Sequence, residues 1–144
     1  MKKYVLIFML MLAMVGCVKE RYIGQYVSTT FPVIEFTDNS GAGAISLISN
    51  KGDKNGGFDI VASLNKLSNN KYIIHADVTP TFWIDSFLET SFYLILLDAG
   101  EIVRSIRVPS AVHVSTNKIS INKEFENDIY FDSFTFFYQT SFRY

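Results

Sequence analysis

Apolar residues recur at every second position over long stretches of this chain. Phe58, Ile60, Ala62 and Leu64 alternate with Asp59, Val61, Ser63 and Asn65, and Tyr72, Ile74, Ala76 and Val78 alternate with Ile73, His75, Asp77 and Thr79. In an extended strand successive side chains point to opposite faces, so this pattern lays one face on a core and turns the other to water. Near the C-terminus Phe134, Phe136, Tyr138, Phe142 and Tyr144 share a face with Thr140, while Thr135, Gln139, Ser141 and Arg143 take the other and Phe137 breaks the rule. Ser91 to Leu97 is apolar on both faces and reads as a central strand covered on both sides. Ile102 to Val108 and Lys118 to Phe125 are further strands rich in β-branched and aromatic residues. No stretch carries a helical period over three turns; Thr81 to Glu89 reads as one short helix or a long crossover between strands.

The punctuation between these runs agrees. Ser68-Asn69-Asn70-Lys71 reads as a hairpin turn, with Asn tolerating the left-handed conformation, and Asp98-Ala99-Gly100-Glu101 as a second turn in which Gly100 supplies a positive φ. Pro32, Pro80 and Pro109 fall at the edges of runs, where a missing N–H costs least. Residues 38 to 57 have a different texture: Gly41-Ala42-Gly43 reads as a flexible turn, and Ala44 to Ile48 as a short strand between turn-rich stretches. The expectation is an all-β fold of seven to nine strands, an antiparallel β-sandwich occupying residues 26–144 as one domain. The segment FYLILLDAGEIV, residues 92–103, resembles the hairpin motif of small immunoglobulin-like bacterial envelope domains. That resemblance implies a fold and no activity.

The first seventeen residues obey another logic. Lys2 and Lys3 precede an uncharged run of 12 residues, Tyr4 to Val15, which ends in Gly16-Cys17. A bilayer-spanning helix needs about 20 residues; a run of this length suits the apolar region of a secretory signal. Met14-Val15-Gly16-Cys17 resembles the lipobox of bacterial lipoproteins, with Met14 standing where that family usually has Leu. The resemblance implies cleavage after Gly16 and acylation of Cys17. Residues 1–16 are then a signal peptide and 17–25 a lipidated tether. Two or three acyl chains hold a protein firmly on a membrane, at about 0.8 kcal/mol per buried CH₂. Val18, rather than Asp, follows the cysteine, and by the same family rule this favours the outer membrane over the inner in a bacterium with two.

Composition excludes other classes. The 144 residues carry 13 Lys+Arg against 14 Asp+Glu, so the basic stripe of a nucleic-acid binder is missing. One cysteine and two histidines leave no Cys/His zinc site and no disulfide framework. No catalytic constellation stands out. Gly41-Ala42-Gly43 lacks the Gly-Lys-Ser/Thr of a phosphate loop. Asp53, Asn55 and Asp59 suggest a calcium loop, but the acid at its twelfth position is absent and Lys54 repels the cation. His75 shares a strand face with Asp77, which is common on solvated sheets; His113 has no partner legible in sequence. Asp85 and Glu89 beside Trp83 would suit a glycosidase only within a cleft. Phe82, Trp83 and Phe87 read as a plug at one end of the core or as a partner surface. No cofactor is implied. The expectation is a non-enzymatic, membrane-anchored envelope lipoprotein that binds a protein partner. The alternatives are a small outer-membrane β-barrel, suggested by the aromatic C-terminal strand, and a hydrolase using His75 or the Asp85/Glu89 pair.

Overall fold

The computed structural model describes residues 22–49, 56–81, 88–111 and 119–142. Among them the chain forms eight strands and no helix: β1 (Ile34–Glu35), β2 (Ser40–Ser49), β3 (Gly56–Ser68), β4 (Lys71–Pro80), β5 (Leu88–Asp98), β6 (Glu101–Ala111), β7 (Ile119–Glu126) and β8 (Ser133–Phe142). They make two four-stranded antiparallel sheets, ordered β1-β8-β5-β6 and β2-β3-β4-β7. The two sheets pack face to face in a sandwich-like arrangement, with the Phe58 ring of β3 meeting Phe92 of β5 and Tyr138 of β8 at 5.1 and 4.8 Å.

The alternating runs bury the faces they should. Phe58, Ile60, Ala62 and Leu64 from β3, with Tyr72, Ile74, Ala76 and Val78 from β4, form one wall of the core, and Phe92, Leu94, Phe134 and Phe136 form the other. Burying each of the larger aliphatic and phenylalanine side chains contributes roughly 1.5–3 kcal/mol, so this double layer supplies most of what holds the sheets together. One side of the sandwich is laced by long cations. Lys123 Nζ of β7 donates to the Arg107 carbonyl of β6 at 2.8 Å, and Arg104 Nη1 of β6 donates to the Glu126 carbonyl at 2.8 Å. Buried Asn127 sits beneath, accepting from Arg104 and donating to the Ile129 carbonyl at 2.7 Å.

β5 is central, as its doubly apolar sequence requires. Its second apolar face is covered by the chain's own N-terminal segment. Ile95, Leu97 and Ile102 form a separate cluster under Tyr22, Val27, Tyr93 and Phe137. The segment begins at the edge of β6, where Gly24 N–H donates to the Ile102 carbonyl and Val27 N–H to the Gly100 carbonyl. It then crosses the outer face as a strap. Phe31 packs edge-on against Phe137 at 5.5 Å, and fully buried Thr135 donates its hydroxyl to the Pro32 carbonyl at 2.7 Å. Phe137, the residue that breaks the alternation of β8, is therefore half-buried on the outer face, packed against this second, smaller cluster. Tyr22 to Gln25, within the range read as tether, belong to this strap.

Several turn readings need correction. Gly41-Ala42-Gly43 lies inside β2, a strand of ten residues rather than the short run at Ala44 to Ile48. Two glycines are tolerated there because β1 passes over them: a methyl at Gly41 would collide with the Glu35 carbonyl and come within 3.0 Å of the Phe134 ring. The Asn69-Asn70 hairpin forms, with a bulge between Lys66 and Ser68, but neither Asn is left-handed. Asp38 and Asn39 take that conformation instead, at φ 53° and 67°, in the turn from β1 to β2. At the other hairpin both Ala99 and Gly100 have positive φ, as the turns that match strand twist demand. Pro109 falls where the β5–β6 register shifts between Phe92 and Thr90, a bulge that has no use for its missing N–H.

Candidate functional site

The residues singled out in the sequence fall in two groups. Gly16 and Cys17, the aromatic trio Phe82, Trp83 and Phe87, and also Asp53, Asn55, Asp85, His113 and Tyr144 lie outside the described residues. The strand ends that lead to these segments do share a place. Ser49 pairs with Gly56, Phe58 with Pro80, and Val78 with Ile119 in one sheet, while Leu88 pairs with Phe142 and Thr90 with Ala111 in the other. The aromatic contacts of Phe58 with Phe92 and Tyr138 bring these two sets of ends together. Glu89 enters only as a backbone position in β5, opposite Ser141.

His75 and Asp77 are described. Both are on the outer face of the β2-β3-β4-β7 sheet, and His75 is exposed, opposite Ser63 of β3 and Asn122 of β7. Asp77 accepts a hydrogen bond from the Ser120 hydroxyl at 2.9 Å. The surrounding surface is a shallow depression between Ala42, Val61, Ser63 and Ser120. That depression is open, has a volume of about 530 Å³ and includes His75 and Asp77 in its lining, so a concavity does lie within reach of this imidazole. Asp59, the described member of the calcium-loop reading, is on β3 and accepts from Ser46 at 2.6 Å. Among the described residues no three His, Cys, Asp or Glu side chains converge to hold a metal ion.

The perturbed titration in the described region is that of Tyr26. Its phenol is held above the usual tyrosine range, first by the negative charge of Glu101 and then by donating its proton to that carboxylate at 3.2 Å. This pair sits on the strap where it bridges to β6. It is exposed, and it is a clasp rather than a reactive group.

A second concavity among the described residues is on the side of the sandwich opposite the Lys123 and Arg104 lacing. It is a groove of about 610 Å³ between the edges of β8 and β2. Phe31 and Pro32 of the strap form one wall, Ser46 and Leu47 of β2 the other, and Phe136, Phe137 and Tyr138 line the β8 side. Among the described residues, none of the side chains that line it is charged. Sequence reading missed this place because its lining comes from three distant segments. A signal for the strap was nonetheless present: a strand apolar on both faces beside the misplaced Phe137 requires a cover. Among the described residues no helix is long and apolar enough to cross a membrane.

What the fold defines is a class: an all-β protein of two packed antiparallel sheets with a strap over one outer face. Comparison of the chain with protein-family models, curated proteins and solved structures returns no match.

Proposed function

We propose that this protein is a lipid-anchored bacterial envelope protein whose β-domain is a non-catalytic binding or assembly module. The observation that carries the reading is Cys17, the sole cysteine, placed at the end of a basic, apolar and small-residue sequence. Cleavage after Gly16 and acylation of Cys17 follow from its likeness to a lipobox, and Val18 favours the outer membrane. Tyr22 is already part of the strap on the β5 face. The five steps from Cys17 to Tyr22 span at most roughly 17 Å when fully extended, so the domain would ride close to the lipid surface. The resemblance of residues 92–103 to immunoglobulin-like envelope domains stays a part of this reading, beside a fold of two antiparallel four-stranded sheets in which β2, β3 and β4 lie side by side.

The test is the mass of the mature protein isolated from membranes, for wild type and Cys17→Ser. Loss of residues 1–16 with gain of lipid mass, both abolished by the substitution, is the expected result. An uncut or unlipidated wild-type chain would overturn the reading.

A further inference from the structure

Each long side of a β-sandwich must deal with the edges of two sheets. Here one side is laced by Lys123 and Arg104. On the other, β1 does the same job, but for two residues only: Ile34 and Glu35 pair with Phe134 and Ser133 of β8. The register decides which backbone groups of β8 face that side. Phe36 N–H donates to the Asp132 carbonyl, directly opposite it, so Ile34 and Phe134 are the next hydrogen-bonded pair. The even-numbered residues of β8 therefore point their N–H and C=O groups away from β5. Beyond Phe134 these are Phe136, Tyr138, Thr140 and Phe142, and among the described residues no strand pairs with them.

This edge carries none of the usual protection. Ser133 to Phe142 holds no charge and no proline over ten residues, where natural edges are normally blunted by lysine, proline or a bulge. The uncharged groove lies directly alongside it. We propose that the open length of β8 is a strand-addition site, taking an extended, uncharged segment of a partner protein with apolar side chains at alternate positions. The inference rests on reading the protein as a binding module and names the chemistry of what it binds. Main-chain hydrogen bonds to the four even residues provide the pairing, and alternate side chains enter the groove between Phe31 and Leu47. From Phe136 to Phe142 the edge is about 20 Å long at the antiparallel rise per residue. The groove is walled on both flanks, by the strap and by β2. Every lining residue on these flanks is uncharged, which matches a single strand without charged side chains continuing the line of β1.

The experiment is amide hydrogen exchange on the mature lipidated chain, with and without a ten-residue Thr-Val repeat peptide. A peptide of the same length with proline at alternate positions is the control. At ten times its Kd the repeat peptide should slow exchange at Phe136, Tyr138, Thr140 and Phe142 by about tenfold, leaving Thr135 and Phe137 unchanged. The proline peptide should do nothing. Thr140→Pro removes an outward N–H without touching the β5 ladder, and should abolish the effect; Thr30→Lys, which puts a charge on the strap side of the groove, serves as an independent second variant. No slowing at millimolar repeat peptide overturns the proposal. So does protection of the even amides in the free chain that rises with protein concentration, which would make a second copy the occupant. Slowing on a chain that carries no lipid would leave the strand-addition site standing and remove the envelope reading. A lipidated chain insensitive to peptide would do the reverse.

Discussion

A single methyl group distinguishes two glycines that look equivalent in sequence. At Gly41 a Cβ would overlap the Glu35 carbonyl and approach Phe134 Cε1 to 3.0 Å, and the first of these is backbone belonging to β1. It cannot rotate away; β1 or β2 must move. At Gly43 the nearest atoms are carbons of the Ile34 side chain at 3.4 to 3.7 Å, ordinary contact distances. Overpacking a close-packed site costs about 1–3 kcal/mol, whereas Gly→Ala at a compatible position stabilises by about 0.4–1 kcal/mol through the unfolded chain. Gly41→Ala is therefore expected to destabilise by about 1–3 kcal/mol and Gly43→Ala to be neutral or stabilising. For a domain of this size each kcal/mol moves Tm by roughly 3–5 °C, so the two variants should lie on opposite sides of wild type. Urea unfolding followed by far-ultraviolet circular dichroism reads both, and an unchanged m-value shows that stability changed without a change in the surface exposed on unfolding. Equal stability of Gly41→Ala and wild type would refute the close crossing of β1 over β2, and with it the reason that glycines occupy a strand.

Other perturbations probe the strap and the laced side. Ile95→Ala should cost about 2–5 kcal/mol in urea unfolding, because its site under the strap is as closed as the main core; a loss below 1 kcal/mol would mean the strap does not cover it. Thr135→Val leaves the Pro32 carbonyl without its buried donor and should cost about 1–3 kcal/mol, with faster exchange of strap amides as the specific readout. Asn127→Ala removes a buried amide that serves both Arg104 and the Ile129 backbone, and a loss of about 1–3 kcal/mol is expected by the same measurement. Tyr26 should lose its phenolic proton at higher pH than an ordinary tyrosine, and Glu101→Gln should lower that pKa in a spectrophotometric titration. Because the folded value is raised, the unfolded chain loses its proton first; the contribution of this pair is intact below the ordinary tyrosine pKa of about 10 and is lost as pH rises through the folded value. A Tyr26 titration unmoved by Glu101→Gln would remove the clasp.

Strand identity and facing were legible in the sequence because they depend on local geometry. In a strand, side chains alternate whatever the partner, so Phe58 to Leu64 and Tyr72 to Val78 show their buried face without reference to anything else. Hairpins joining neighbouring runs were legible for the same reason, as at Asp98 to Glu101. The candidate site was not. Its wall residues Phe31, Ser46 and Phe136 are remote in the chain, and none is unusual alone. The left-handed residues were misplaced because Asn69 and Asn70 offer the conformation while Asp38 and Asn39 are compelled into it by the reversal between β1 and β2.

The chain's residues by themselves determined an all-β fold and two-faced strands, and they carry the lipobox resemblance at Cys17 on which the proposed lipid attachment rests. All of these rest on periodicity or on a contiguous motif. Tertiary structure decided what lies over each face and edge. Gly41 and Gly43 became strand residues because β1 runs across them, and Ile95 and Leu97 became core because residues 22–32 fold back over β5. Among the described residues β8 keeps an open edge because its neighbour β1 is two residues long. Packing and backbone pairing between distant segments are set by where the whole chain goes, and no local pattern encodes them.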